Sequence, residues 1–394
     1  MMDYKEHLII LKTYYKMNKL NIKALLISPK KDISFINDVI NQSSKNDLEI
    51  KWISSSVCNS ERRRFNLTKS AKNKLPFIGG HEAVGTINDE SSYLSKKYAL
   101  LPHSNCLTRR DMDKCLACEN GYENLCSKML HAGLDNGSPS GFSDFMFVNK
   151  NQLVDVTDIS DKDSIFLEPL ACVIRSWDLS NVDIVNSAKS IAVIGGGPIG
   201  CLHALYINRL NPKNKITIIE NSINRLNTLK EIFKNFSNIN VQDTPSNKKF
   251  NISVMACSDT SGYQTAYGIL MNKGSLILFS GFNDVDFKQD DFYPEVIHRN
   301  EYKHYTDKKI LIGSSGYSLN EIIKSKRILI DFSPSETIIT GRVNGIDSNV
   351  LFLKDGSKRV YDEPVIIKDI KAELEDQVKI QYFNNGRPQG DFKF

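Results

Sequence analysis

Residues 190–200, which read SIAVIGGGPIG, decide the fold of this chain. Residues 191–194 are a short apolar run that predicts a buried strand, and residues 199–210 carry apolar side chains at helical spacing. Between the two lies the glycine pattern G-x-G-x-x-G at residues 195–200. A strand that enters a helix through such a turn is typical of one unit of a parallel sheet.

The three glycines of this turn have distinct roles in binding a dinucleotide. Gly195 allows the tight turn, Gly197 lets backbone amides approach a pyrophosphate, and Gly200 lets the helix pack close to the strand. Pro198 and Ile199 open the helix, whose positive end then faces the phosphates. The alternative interpretation is a glycine turn in an unrelated α/β protein.

Glu220 strengthens the dinucleotide interpretation. It lies 20 residues after Gly200, at the end of the next predicted strand, residues 216–219. A carboxylate there can accept hydrogen bonds from both ribose hydroxyls and would repel a 2′-phosphate. The sequence therefore predicts NAD as the cofactor, with NADP less favoured, although Arg225 nearby would weaken that preference. A solvated strand end is the alternative.

Predicted strands and helices alternate from residue 190 to residue 280. The strands are expected at residues 191–194, 216–219, 252–256 and 275–280, and the helices at 199–210 and 224–236. Short apolar strands that alternate with helices predict a doubly wound α/β fold, a parallel sheet with helices on both faces. Helical spacing also begins at Glu168, where Pro169 suits a first turn.

The two ends of the chain have a different texture. Residues 22–165 contain short β-like runs broken by polar loops, and this pattern returns after about residue 310. We therefore expect a second, mostly β domain made from both chain ends. The expected limits are 1–167 for the catalytic domain with a lobe at 102–130, 168–309 for the nucleotide-binding domain, and 310–394 for the return to the catalytic domain and a C-terminal extension.

Composition limits the class of protein. The 394 residues suit two domains, and 41% hydrophobic with 25% charged residues is typical of a globular chain with a sizeable core. The net charge of +5 is spread among acidic residues, which argues against a nucleic-acid partner. We find no apolar run long enough for a signal peptide core or a membrane span, and so expect a cytoplasmic protein without a membrane partner.

Four cysteines form a candidate structural zinc site. Cys106, Cys115, Cys118 and Cys126 fall within 21 residues. Four thiolates can close a tetrahedral shell around zinc with no open position. Free thiols in a loop are the alternative, which the charged surroundings of the cluster disfavour.

A second candidate zinc site combines Cys58 with the neighbours His81 and Glu82. One thiolate, one imidazole and one carboxylate would leave the metal a fourth position for water or substrate, as in catalytic zinc sites. Taken singly, Cys58 would more often be a small buried residue and His81 a satisfied polar one.

Several stretches together carry a family resemblance. They are residues 57–61 (VCNSE), 80–85 (GHEAVG), 102–126, 168–171 (EPLA), 195–200, 274–276 (GSL) and 312–314 (IGS). In this order the chain resembles the zinc-dependent medium-chain dehydrogenases, in their sorbitol (polyol) and threonine dehydrogenase branch, across about residues 22–370. The resemblance implies a Rossmann-type sheet, a GroES-like catalytic domain with a zinc-binding lobe, and two zinc ions per chain.

The resemblance also implies roles for single residues. Cys58 and His81 would bind the catalytic zinc, with Glu82 or Glu168 as the carboxylate, directly or through water. Ser60 would pass on the proton of the alcohol. The implied activity is the NAD-linked oxidation of a secondary alcohol, or the reverse reduction, in a homodimer or homotetramer.

The chain departs from the family at the lobe. Eight residues separate Cys106 from Cys115 where the family has two, and Met112 occupies the regular cysteine position. We expect a bulged loop that brings Cys106 in; the alternative is a shell of only three thiolates. Residues 378–394 extend beyond the usual end of the family.

Arg63 is a candidate substrate residue. It lies in the basic run at residues 62–64, shortly after Cys58. A solvated charge run is the ordinary interpretation. The alternative is that Arg63 binds a phosphate or carboxylate of the substrate with its planar guanidinium.

Two other functions compete with the enzyme. One is a non-catalytic NAD-binding protein with a redox-sensing or structural role, and the other is an interaction module built on the four-cysteine lobe. The presence of Cys58, His81 and Glu168 speaks against the first. The position of the lobe inside an enzyme-like chain speaks against the second.

Overall fold

The computed structural model describes residues 18–27, 33–43, 47–66, 76–87, 96–133, 140–280, 302–305 and 309–338, and five short strands beyond them. In chain order the strands are β1 Lys19–Ile27, β2 Ile33–Asn41, β3 Asp47–Ser56, β4 Glu82–Ile87, β5 Lys97–Leu100, β6 His103–Ser104, β7 Leu130–His131, β8 Phe145–Asn149, β9 Leu153–Asp155, β10 Ser190–Ile194, β11 Lys215–Ile219, β12 Ile239–Gln242, β13 Phe250–Met255, β14 Leu270–Leu278, β15 Tyr302–Tyr305, β16 Ile310–Gly313, β17 Arg342–Val343, β18 Val350–Phe352, β19 Lys358–Val360, β20 Phe383–Asn384 and β21 Arg387–Pro388. The α-helices are Asn59–Asn66, Cys106–Arg109, Leu116–Glu119, Leu167–Ser180, Pro198–Leu210, Ile223–Ile232, Thr260–Gly268 and Leu319–Leu329, with 3-10 turns at Glu123–Leu125, Lys150–Gln152, Ser164–Phe166 and Pro334–Glu336.

The larger sheet has the order β12-β11-β10-β13-β14-β16-β15. The first six of these strands run parallel, and β15 is antiparallel to β16. The side chains of β10 alternate between two cores: Ile191 and Val193 pack in one, and Ala192 and Ile194 in the other. A strand buried on both faces needs a continuous apolar run, which is why this stretch of sequence identified the sheet.

The strand order reverses beside β10, because β11 lies on one side of it and β13 on the other. At such a switch point the loops after the two central strands diverge and leave a crevice at the carboxyl edge of the sheet. Gly195 follows β10, and a Cβ added to it would come within 3.2 Å of the Ala256 main chain, which follows β13. The glycine turn therefore lies in this crevice.

The glycine turn matches the roles that the sequence predicts. Gly195 has a φ of +98°, which favours glycine. A Cβ on Gly200 would overlap the carbonyl oxygen of Gly195, so helix and strand approach too closely for any side chain. A Cβ on Gly197 would meet nothing within 4 Å, so the main chain is open there to a ligand.

The smaller sheet is antiparallel, with the order β17-β3-β4-β5-β9 and with β8 on the other edge of part of β3. The hairpin of β1 and β2 packs beside it through hydrogen bonds from Leu25 to Phe142 and between Ile27 and Phe77. The helix Leu167–Ser180 lies at the start of the larger domain and is tied to the helix Leu319–Leu329, where the Ser325 hydroxyl donates to the Leu167 carbonyl (2.8 Å).

Most expected elements are present. The strands expected at 191–194, 216–219 and 252–256 are β10, β11 and β13, and the expected helical segments at 168 and 199 are confirmed. The helix expected to reach residue 236 ends at Ile232, because Phe233 caps it and the chain turns back through a bond from Phe236 to Phe233 (3.0 Å). Residues 365–367, which are part of the β-like pattern expected after about residue 310, lie outside the described residues.

The expected domain limit at residue 309 needs one qualification. β16, at residues 310–313, pairs with β14 and is therefore part of the larger sheet. β17 then pairs with β3 and returns the chain to the antiparallel sheet. The domain limits themselves remain predictions. Within the described residues, no helix is both long and apolar enough to cross a membrane.

The close contact at Gly200 predicts a difference between two glycine substitutions. Gly200→Ala forces the helix away from the Gly195 carbonyl, and we expect it to lower the free energy of unfolding by about 1–3 kcal/mol, typical of overpacking. Gly197→Ala has open space and an extended backbone (φ −67°, ψ 177°), so its cost is at most about 1 kcal/mol. Denaturant unfolding of both variants checks this order, and equal losses would contradict it.

Candidate functional site

Three candidate ligands meet where β3 ends and β4 begins. Cys58 follows β3, His81 precedes β4, and Glu82 is the first residue of β4. The two strands are antiparallel neighbours in which Ser56 stands opposite Glu82. The ligand atoms of the three residues lie within 4.8 Å of one another, and His81 and Glu82 are buried.

Gly80 gives the chain the turn that brings His81 to this place. Its φ of +87° lies in the left-handed region. A Cβ there would come within 2.6 Å of the Phe142 main-chain nitrogen and of the Ser55 hydroxyl. The glycine of the GHE sequence is therefore required both by its backbone conformation and by its close packing.

A fully buried carboxylate, Glu61, organises the site. Its Oε2 accepts a hydrogen bond from the Cys58 amide (2.9 Å), and its Oε1 accepts from the amides of Gly80 and His81 (3.2 Å for His81). Oε1 also lies 3.1 Å from Nδ1 of His81. This contact fixes the ring and leaves Nε2 available for a metal, the usual arrangement behind a histidine ligand.

Glu61 has no role in the sequence-based predictions. The available signal was its position three residues after Cys58, at the start of the helix Asn59–Asn66. The hydrogen bonds that define its role come from residues about twenty positions away. No pattern in the sequence around Glu61 indicates these hydrogen bonds.

The electrostatics of the site suit a cation. Burial, then the Glu82 carboxylate, raises the pKa of the Cys58 thiol, and burial raises the pKa of Glu82. Burial would lower the pKa of His81, but Glu61 and Cys58 hold it well above its usual value. Crowded buried acids disfavour their own charges, and a divalent cation removes that penalty. Thiolate, imidazole and carboxylate together fit zinc with one open position.

Glu168 lies in the first turn of the helix Leu167–Ser180 and is buried. Burial, followed by the charge of Glu82, raises its pKa to about 7. Among the described residues, Glu168 is not part of the group whose ligand atoms lie within 4.8 Å. The geometry favours Glu82 as the direct carboxylate, and the roles of both glutamates remain predictions.

Ser60 and its neighbour connect this site to the larger sheet. The Ser60 hydroxyl is buried and has no hydrogen-bond partner in the described part of the chain. The Asn59 amide donates to the Ser258 hydroxyl (3.1 Å), which lies shortly after β13. The metal-ligand group therefore borders the same carboxyl edge that holds the glycine turn.

At the other end of the crevice, Glu220 is 3% exposed and already engaged. Its Oε2 accepts from the Gly196 amide (2.9 Å) and from the Arg225 guanidinium (2.8 Å). Its Oε1 accepts from the Ser222 amide (2.8 Å). The carboxylate is thus fixed beside the glycine turn, where the sequence predicts the ribose, and Arg225 is paired with it.

The structure brings all four lobe sulfurs together. The sulfurs of Cys106, Cys115, Cys118 and Cys126 lie within 4.8 Å of one another and are buried. The amides of Cys118 and Ser127 donate to the Cys115 sulfur and, against the effect of burial, lower the pKa of this thiol to about 5. Amide donors favour thiolates, so this donor set fits a closed zinc shell, although its metal remains a prediction.

A short helix accommodates the unusually long spacing between Cys106 and Cys115. The helix Cys106–Arg109 is capped by Asn105, whose side chain accepts from the amides of Leu107 (3.0 Å) and Thr108 (2.9 Å). This turn directs Cys106 inward, whereas Met112, at the regular cysteine position, is fully exposed. The extra residues between Cys106 and Cys115 form the expected bulge. The geometry favours a shell of four thiolates over a shell of three.

Arg63 lies within the helix Asn59–Asn66, but its side chain is outside the described part of the structure. Its role toward an anionic substrate therefore stays a hypothesis.

The lobe geometry predicts which residue holds metal. Cys106→Ser should lower the zinc content by about one ion per chain, because three thiolates leave the shell open. Met112→Ser, at an exposed position, should leave the zinc content unchanged. Elemental analysis of both purified variants measures the difference, and zinc retained in Cys106→Ser would exclude this cysteine as a ligand.

The position of Glu61 predicts an effect on the first metal site. Glu61→Gln removes the charge that orients His81, and we expect zinc affinity at Cys58 and His81 to fall roughly 10- to 100-fold. Competition with a chelator measures this affinity. Glu231→Gln, an exposed glutamate that pairs with Lys234, is the control. An unchanged affinity in Glu61→Gln would contradict an orienting role.

Comparison with known proteins adds independent findings. The family model of the alcohol dehydrogenase GroES-like domain matches residues 44–158. A probable diacetyl reductase [(R)-acetoin forming] of Saccharomyces cerevisiae is 28% identical over 158 residues, 36% of this chain and 36% of that protein. An L-threonine 3-dehydrogenase of Mesorhizobium japonicum is 25% identical and is covered over 45% of its length, against 41% of this chain. The chain thus spans less than half the length of these two curated relatives.

Solved structures share the fold over about four fifths of this chain. The L-idonate 5-dehydrogenase of Escherichia coli superposes with a TM-score of 0.61 at 18% identity, over 81% of this chain and 90% of that one. The D-arabinose dehydrogenase of Sulfolobus solfataricus gives 0.63 at 18% identity, over 81% and 96%. Fold, matched domain and relatives agree with the motifs of the sequence. The chain therefore contains an alcohol dehydrogenase GroES-like domain at residues 44–158, in a fold similar to that of these dehydrogenases.

Proposed function

We propose that this chain is a zinc- and NAD-dependent dehydrogenase that oxidises a secondary alcohol to the ketone, or catalyses the reverse reduction. One observation carries the proposal: the group of half-buried Cys58 with buried His81 and Glu82 borders the same sheet edge as an open glycine turn. The bond between Asn59 and Ser258 joins the two. A metal site and a dinucleotide site on one crevice suit hydride transfer.

Zinc and a nicotinamide dinucleotide would each make a distinct contribution to the proposed reaction. Zinc held by Cys58, His81 and Glu82 would supply a Lewis acid that lowers the pKa of an alcohol. A nicotinamide dinucleotide on the glycine turn would accept the hydride. The lobe cysteines would hold a second, structural zinc. We therefore expect two zinc ions per chain.

Protein side chains around the proposed zinc position orient its ligands and provide a path for the proton. Glu61 fixes the His81 ring, and the Ser56 hydroxyl donates to the Glu82 carboxylate. The buried Ser60 hydroxyl, which lacks a protein partner in the described residues, is suited to accept the alcohol proton and pass it onward.

The cofactor proposal is NAD, with NADP less favoured. A carboxylate at Glu220, held by the Gly196 amide, would accept bonds from the ribose hydroxyls and repel a 2′-phosphate. Arg225 weakens this discrimination less than its charge suggests, because it is already paired with Glu220.

The names of similar proteins support a proposal for the substrate class. Similar proteins are named for threonine, butanediol, idonate and altritol, all of which carry a secondary alcohol. We propose a polyol, cyclitol, amino alcohol or sugar-derived alcohol, with a phosphorylated substrate if Arg63 faces the cleft. A cytoplasmic homodimer or homotetramer is the expected setting.

A panel of alcohols, polyols and sugar phosphates, scored for NADH formation with zinc measured per chain, tests the proposal. We expect turnover of at least one secondary alcohol, and loss of nearly all activity in Cys58→Ser. That variant should keep the lobe zinc, which serves as an internal control for folding.

The competing function is a non-catalytic NAD-binding member of the same fold. It predicts NAD binding without turnover of any alcohol, and a biological effect that survives in Cys58→Ser. A zinc-free wild-type chain would overturn the enzyme proposal altogether.

A further inference from the structure

Ser56 places a hydroxyl group against the carboxylate of Glu82. Ser56 is the last residue of β3 and is 1% exposed, and it stands opposite Glu82, the first residue of β4. Side chains of directly opposed residues in antiparallel strands lie on the same face, close enough to interact. The Ser56 hydroxyl donates a hydrogen bond to Oε2 of Glu82. One of the two oxygens of this candidate metal ligand is therefore already engaged by the protein.

The sheet fixes the position of this hydroxyl. β3 pairs with β4 on one side and with β17 on the other, where Arg342 stands opposite Ser56. The hydroxyl of the preceding residue, the buried Ser55, donates to the main-chain carbonyl of Glu82 (2.9 Å). Two adjacent serines thus hold the main chain and one carboxylate oxygen of Glu82 separately.

A rotation of the Glu82 carboxylate would break the hydrogen bond from Ser56. Both residues are buried, so water does not replace the lost partner. A buried hydroxyl or carboxylate oxygen that is left without a partner is destabilising. Oε2 therefore stays with Ser56, and Oε1 is the oxygen that remains for a metal.

The number of oxygens that Glu82 offers decides whether a metal site here is open or closed. A carboxylate can bind a cation through one oxygen or through both. With the Cys58 sulfur and the His81 imidazole, one oxygen makes three protein donors and leaves a fourth position for a substrate, as in catalytic zinc sites. Both oxygens would make four donors, which closes the tetrahedral shell as in structural zinc sites.

We propose that Ser56 is a positioning residue that restricts Glu82 to one oxygen toward the zinc and thereby keeps the fourth position open for the alcohol. This inference rests on the proposed function, in which Cys58, His81 and Glu82 bind the metal. The alternative is that Ser56 only satisfies a buried carboxylate. Loss of its hydroxyl would then weaken folding or metal binding, but it would not close the site.

The cobalt-substituted chain tests whether the fourth position is open. Cobalt(II) can replace zinc, and its visible absorption changes when an added ligand such as imidazole binds to it. The closed four-cysteine shell has no position for imidazole, so the response reports the other site. In Ser56→Ala we expect both metal ions to stay bound, because Glu82 gains a second donor oxygen. The imidazole concentration at half of the spectral change should rise roughly tenfold or more.

Ser55→Ala is the matched control. It also removes a buried hydroxyl from β3, but one that bonds to the main chain of Glu82 instead of its carboxylate. Its imidazole response should match that of the wild type. Ser56→Gly removes the same hydroxyl as Ser56→Ala and should show the same loss. Ser56→Thr keeps a hydroxyl at this position and should retain the response.

The possible outcomes separate this inference from the proposed function. An imidazole response in Ser56→Ala equal to that of the wild type, or loss of a metal ion from Ser56→Ala, overturns the role of Ser56 but not the dehydrogenase. A wild type without any imidazole response overturns that role as well. An imidazole response that depends on Ser56, in a chain that turns over no alcohol, overturns the proposed function but not the role of Ser56.

Discussion

The buried carboxylate of Glu61 is the constraint on which the metal-ligand group depends. It lies on a helix that follows β3, yet it accepts hydrogen bonds from amides on both sides of the gap between β3 and β4. A buried charge is tolerated only when such donors surround it. By satisfying Glu61, the chain joins two separate segments and sets the distance between Cys58 and His81. The turn at Gly80 then follows, because its amide must point at the same oxygen.

The same arrangement explains why two sheets can share one site. The antiparallel sheet supplies the candidate metal ligands at the end of one strand and the start of the next. The parallel sheet supplies a crevice where its strand order reverses. The contact between Asn59 and Ser258 brings these edges together. Neither sheet by itself offers both an open main chain for phosphates and a buried donor set for a metal.

The sequence predicted the features that depend on local pattern. Continuous apolar runs identified β10, β11 and β13, because strands buried on both faces leave that signature. β2 was not predicted, since its side chains are largely exposed and show no apolar alternation. The bulge at Cys106 could be inferred from spacing, and the capped helix that forms it could not. Glu61 was missed because its role arises from contacts between segments that are distant in sequence.

The loop between β16 and the helix Leu319–Leu329 connects the cysteine lobe to the larger sheet. Two hydrogen bonds tie that loop to Glu123 and Asn124, which lie between the last two cysteines of the lobe. A substitution on the lobe surface can therefore move a loop that follows directly on the parallel sheet. The cysteine lobe and the parallel sheet are coupled in this way, although they are built from distant parts of the sequence.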